Sequence, residues 1–222
     1  MGGHRDGFAE LQKLYQGFED AQVAECRLAL PDKLSKLVGS LEYVNLVAST
    51  PSGSIARDAL AELIYLANES DLVSIGPDLS NNSETTLTMQ RLISETRASI
   101  VIPLQSTEQL LPEAGEWADK ENVLLFLSHK QLYKLASKLA VDTTIPLTPN
   151  LDAIAEISAC VSKEYAPNLV VTYDDQLIIA VNGRVSTTKT AKIDTGLLAT
   201  FWLQNSTKKY EALTSAAYLA NN

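Results

Sequence analysis

The apolar pattern of this chain switches repeatedly between short runs rich in β-branched residues and longer stretches with apolar residues at helical spacing. That alternation is the signature of a parallel sheet covered by helices. "VAECRLAL", closed by Pro31, reads as a strand, and "YVNLVAS" from Tyr43 to Ser49 as the next. "GSIARDALAELIYLANES" reads as a helix with Ile55, Ala59, Leu63 and Leu66 near one face, ahead of the buried-strand run "DLVSIG". "SETTLTMQRLISETR" is the next helix, then come the strand "SIVIPL", a short helix from Thr107 and the strand "NVLLFL" from Asn122 to Leu127.

A helix over "KQLYKLASKLA" follows, and Asn150 is placed to cap another that carries Ile154, Ile157, Val161 and Tyr165. Upstream of all these, "FAELQKLYQGFEDA" sets Phe8, Leu11, Tyr15 and Phe18 on one side of a first helix. The last third changes character. "NLVVTYDDQLIIAVNGRVSTTKTA" is two apolar runs followed by a turn at Asn182-Gly183, so it reads as an antiparallel meander before two closing helices. The expectation is one α/β domain over residues 1–222, built on a mainly parallel sheet of about seven or more strands, with helices on both faces and a short antiparallel section from Asn168 to Ser186.

Composition narrows the function. With 45% hydrophobic residues, 222 residues fill a sizeable core. Acidic residues outnumber basic ones by 27 to 18, and the resulting net charge of −9 repels polyphosphate backbones, so no nucleic-acid partner is expected. No apolar run approaches the roughly 20 residues that span a bilayer, and "MGGHRDGFAE" lacks the apolar core of a signal peptide. A soluble, cytoplasmic protein without a membrane partner is expected. Cys26 and Cys160 sit in apolar patterns and read as free, and with only His4 and His129 beside them no zinc site is expected.

The element order, with several local patterns, resembles the ribokinase-like superfamily and, within it, the ADP- or ATP-dependent NAD(P)H-hydrate dehydratases. "DLVSIGPDLS" is similar to that family's strand followed by GPGLG: Gly76 and Pro77 are retained, while Asp78 and Ser80 replace glycines. Gly2 and Gly3 sit where the family has a glycine pair after its first strand, so that strand is expected to be missing. The family's VLDADAL matches "VIPLQST", with Pro103 and Gln105 at the two aspartates; its TPHPGE matches "LSHKQ", where His129 survives; its VLKG lysine falls at Thr172. Its GGTGDVLAG matches "KIDTGLLAT", which puts Gly196 at the aspartate of an anion-binding helix start.

The resemblance implies a three-layer ribokinase-like fold, an ADP or ATP site beside Gly76, Pro77, Thr195 and Gly196, substrate contact by His129, and a homo-oligomer. It also implies that the dehydratase (lyase) reaction is lost, because Gly196 offers no carboxylate to act as base. Asp194, two residues earlier, reads either as a substitute base or as the N-cap of the helix, and capping is the stronger reading. Lys189 and Lys192 are the cations nearest this cradle, and Asp174 or Asp175 would join Asp194 if altered chemistry survived. The "SNNSETT" run reads as a polar start to its helix. The alternatives are thus a nucleotide-binding relic, an active lyase or small-molecule kinase with relocated residues, and a non-catalytic scaffold.

Overall fold

The structure, a computed structural model, describes residues 1, 8–23, 25–38, 43–77, 79, 82–165, 167–190 and 193–220, with the Phe8 side chain left aside. Its strands are β1 (Leu28–Pro31), β2 (Val44–Val47), β3 (Leu72–Ser74), β4 (Ser99–Ile102), β5 (Val123–Ser128), β6 (Asn168–Tyr173), β7 (Gln176–Val181) and β8 (Arg184–Lys189). The helices are α1 (Phe8–Asp20), α2 (Ser35–Val38), α3 (Leu60–Asn68), α4 (Ser83–Glu95), α5 (Leu104–Leu110), α6 (His129–Lys138), α7 (Leu151–Glu164), α8 (Thr195–Gln204) and α9 (Lys209–Leu219). β3 to β8 form one sheet in sequence order, parallel from β3 to β6 and antiparallel from there on. β1 and β2 form a separate parallel pair.

Strand alternation sorts the core into two faces. Ile100, Ile102, Leu125, Leu127, Leu169, Val171 and Ile178 point to the side covered by α3, α4, α6 and α7. Val101, Leu124, Phe126, Val170, Leu177 and Ile179 point to the side covered by α1, α8 and α9. The continuous apolar runs "SIVIPL" and "NVLLFL" are what strands covered on both faces require. Among the described residues no helix is long and apolar enough to cross a membrane. Both cysteines are free and half-buried.

The elements read from the sequence recur in order and type, with three shifts of boundary, but α2 was not foreseen and the main sheet has six strands among the described residues rather than seven or more, because β1 and β2 pair with each other and not with β3. The first strand is confined to Leu28–Pro31, because residues ahead of Leu28 have no partner strand among the described residues. The helix read from Gly53 begins only at Arg57, as a 3-10 turn, since Ile55 is held in a bridge to Ser49. The helix read from Thr107 starts earlier, at Leu104, where Pro103 leads into its first turn. Asn150 caps α7 through the Ala153 N–H (2.9 Å), as expected. Asn182 (φ 50°) and Gly183 (φ 78°) both take the positive φ of a type I′ hairpin turn between β7 and β8.

Candidate functional site

β3 to β6 run parallel, so their C-terminal ends share one edge, and β8, twice reversed from β6, ends on the same edge. Open α/β sheets bind ligands at this edge. It carries Gly76 and Pro77 after β3, Pro103 after β4, His129 after β5, Thr172 to Asp175 at the β6–β7 turn and Lys189 at the end of β8. α8 begins shortly beyond, with Thr195 and Gly196 in its first turn.

Gly76 and Pro77 are buried, and both polar groups of Gly76 are used internally. Its N–H donates to the Met1 carbonyl, and its carbonyl accepts from the Ser106 hydroxyl in the first turn of α5. A phosphate here would need N–H donors, and Pro77 has none. The role of Ser106 was not readable from the sequence, since nothing in "LQSTEQ" points across the sheet edge to a residue on the neighbouring strand.

The start of α8 is closed as well. The Asp194 carboxylate accepts from the Leu197 N–H at 2.9 Å and its carbonyl from the Leu198 N–H at 3.1 Å, which is helix N-capping. Gly196 is buried against α1: a Cβ added there would stand 2.7 Å from the Phe18 nitrogen and nearer still to the carbonyl carbon and oxygen of Gly17. Phe18 and Leu14 then pack with Leu198 and Trp202 in one cluster, so α1 roofs this helix start. The Gly17 peptide thus fills the space beside Gly196, and the Asp194 carboxylate already occupies a donor at this helix start and repels a second anion.

His129 is half-buried at the first position of α6, edge-on to Tyr173 (ring centroids 5.2 Å apart) and to Tyr133 (6.1 Å). Tyr173 donates to the Pro149 carbonyl at 3.0 Å. The Tyr133 hydroxyl is buried without a partner among the described residues, and burial raises its pKa. Thr172 gives its hydroxyl to the Leu127 carbonyl at 3.3 Å. Asp174 and Asp175 lie exposed in the turn, and Lys189 stands 3.7 Å from the Asp175 carboxylate as a solvated ion pair.

Pro103 is buried and Gln105 exposed. Asn82 caps α4 through the Glu84 N–H (2.9 Å), so the described part of that run, from Asn82 to Thr86, is the polar helix start expected. Gly2, Gly3, His4, Asp78, Ser80 and Lys192 lie outside the described residues. Among those described, no cluster of three His, Cys, Asp or Glu side chains is placed to hold a metal.

No family model matches the chain, and no curated protein matches its sequence. Solved structures do match its fold. A hypothetical protein from Streptococcus mutans is similar at a TM-score of 0.70 and 17% identity, over 99% of this chain and 78% of the other. A ribokinase-like superfamily protein from Enterococcus faecalis gives 0.71 and 15%, over 99% and 75%. Pyridoxal kinase from Bacillus subtilis, seen as an ADP complex, gives 0.57 and 12%, over 93% and 82%. The protein has the ribokinase-like fold: a mostly parallel sheet between helical layers, shared with small-molecule kinases.

Proposed function

We propose that this protein is a ribokinase-fold relative of the nucleotide-dependent NAD(P)H-hydrate dehydratases that no longer carries out their reaction and binds ADP or ATP weakly at most. One observation carries the reading: the residue at the position of the family's base is Gly196, and the backbone of Gly17 stands where its side chain would be. The expected Gly76 site lends support, since neither of its backbone groups is free. On this reading Asp194 is a cap rather than a base, and the fold serves assembly as a cytoplasmic homo-oligomer.

The test pairs binding with turnover. A thermal-shift panel of ADP, ATP, NAD and hydrated NADH reports ligands that bind only the folded chain, and the absorbance of regenerated NADH reports dehydration. Loss of a general base alone costs on the order of 10²- to 10⁴-fold, so turnover with ADP or ATP is expected to be absent. Robust nucleotide-dependent turnover, abolished by Asp194→Ala, would overturn the reading. A second reading, a small-molecule kinase acting on an aromatic substrate, draws on His129, Tyr173 and the unpartnered Tyr133 hydroxyl at the sheet edge. ATP consumption stimulated by pyridoxal and lost in His129→Ala would favour it.

A further inference from the structure

The turn between β7 and β8 brings a reactive pair of residues to the surface. Asn182 is the one asparagine followed by glycine, and glycine, without a Cβ, lets its own nitrogen reach the preceding side chain unhindered. Asn182 is exposed. The two asparagines followed by serine are tied down instead: Asn82 caps α4 and donates to the Ser52 hydroxyl at 3.3 Å, and Asn205 donates to the Phe201 carbonyl at 2.9 Å. The reaction open to Asn182 is deamidation. The Gly183 nitrogen gives up its proton and attacks the Asn182 Cγ; a C–N bond forms and the side-chain nitrogen leaves as ammonia. Water then opens the resulting five-membered imide at one carbonyl or the other, which returns aspartate or isoaspartate, the latter with the chain running through the side-chain carboxyl.

Two features of the fold hold this reaction back. A type I′ turn sets ψ of its first central residue at about 30°. That puts the Gly183 nitrogen nearly opposite the Asn182 Cβ, whereas ring closure needs the two eclipsed. The Gly183 N–H also donates to the Ser162 hydroxyl at 3.0 Å. Ser162, on α7, is 1% exposed and gives its own proton to the Ala159 carbonyl at 3.2 Å, which leaves its oxygen to accept from the turn. A hydrogen bond accepted from an N–H favours the protonated form, so Ser162 keeps the nucleophile inactive. We propose that Asn182 is a modification site, deamidated as the β7–β8 turn opens, and that Ser162 is the residue that keeps it closed.

The isoaspartate product does not fit this turn. It lengthens the backbone by a methylene in a two-residue loop whose length fixes the hairpin register. Val181 and Arg184, the pair next to the turn, are displaced first. Arg184 lies over the Tyr210 ring at 4.0 Å and bonds the Glu211 carboxylate at 2.6 Å, so loss of register parts β8 from α9. The aspartate product has no such effect, because aspartate before glycine suits a type I′ turn as well as asparagine does.

The test follows isoaspartate at position 182 by chromatography and mass spectrometry of the tryptic peptide 164–184, after incubation of the full chain in mildly alkaline buffer. Folded parent, parent unfolded in urea and folded Ser162→Ala are compared. The unfolded chain is expected to react at Asn182 at least about tenfold faster than the folded parent, since the turn must open first. Ser162→Ala should speed the reaction of the folded chain about two- to tenfold, the range of one lost hydrogen bond. Amide exchange at Gly183 should quicken in that variant, while exchange at Val170, inside the sheet, should not. Isoaspartate formed in the aged parent should speed exchange along β8, and Asn182→Asp should not. A parent that reacts as fast folded as unfolded overturns the proposal, as does a Ser162→Ala chain that reacts like the parent. A gain matched by equally faster exchange at Val170 reports opening of the whole chain and overturns the role of Ser162 as well.

Discussion

Replacing Gly196 by alanine tests the central contact, because two general rules predict opposite signs. Alanine in place of a helical glycine ordinarily gains up to about 1 kcal/mol. At Gly196 the new Cβ would meet the Phe18 nitrogen at 2.7 Å and the Gly17 carbonyl closer still, which no carbon tolerates. The obstructing atoms are helix backbone, so α1 itself has to move. Overpacking of a fitted interior costs about 1–3 kcal/mol, and with rigid neighbours the upper end applies, leaving a net loss of about 2 kcal/mol after the helix gain. For a chain of this size that lowers Tm by about 4–8 °C. Gly17→Ala is the matched control: its Cβ would lie 3.8 Å from both the Asp194 carboxylate and the Gly196 nitrogen, ordinary contact, so it should raise Tm by about 2–4 °C. Circular dichroism melts of the two variants decide the matter, and a Gly196→Ala protein as stable as the parent would refute the close approach. Gly196→Asp shares the Cβ and adds a second carboxylate beside Asp194, so it should melt lower than Gly196→Ala and restore no turnover.

Asp194→Ala removes the bond to the Leu197 N–H and should cost about 1 kcal/mol in urea denaturation, an effect of capping alone. Ser106→Ala leaves the buried Gly76 carbonyl without its donor and should cost about 1–3 kcal/mol, with Ser106→Thr closer to the parent if its hydroxyl reaches the same oxygen. Burial lowers the Met1 α-amine from 8.0 to about 6. The unfolded chain then binds more protons than the folded one between about pH 6 and 8, so stability should rise with pH across that window, by about 2–3 kcal/mol in all. Urea titrations at several pH values on protein whose intact mass includes Met1 check this, and acetylation of the amine should flatten the slope.

Much of the fold was legible because local pattern and global architecture agree. The runs "SIVIPL" and "NVLLFL" are apolar on both faces of a strand, and Asn150 and Asn182-Gly183 announce a cap and a turn by their chemistry. What did not show was pairing. Nothing in "CRLALP" or "YVNLVAS" indicates that β1 and β2 stand apart from the other six strands, since each reads as an ordinary buried strand. Their separation lies in which backbone groups find partners, and a hydropathy pattern carries no record of that.

At the start of α8 the cap was legible and the packing was not, which is a matter of space rather than chemistry. "KIDTGLLAT" carries no carboxylate at position 196, and Asp194 before a helix announces a cap, which the structure supplies. That stretch does not reveal what filled the volume. The signal available was a pair of glycines, Gly17 inside α1 and Gly196 in the first turn of α8, each costly to a helix by about 1 kcal/mol. At Gly196 that cost has a use, since any side chain would collide with the Gly17 peptide. A carboxylate at position 196 and α1 in its present seat therefore exclude each other. Catalysis through this helix would need α1 to withdraw, parting Phe18 and Leu14 from Leu198 and Trp202 and exposing the apolar cluster they now close.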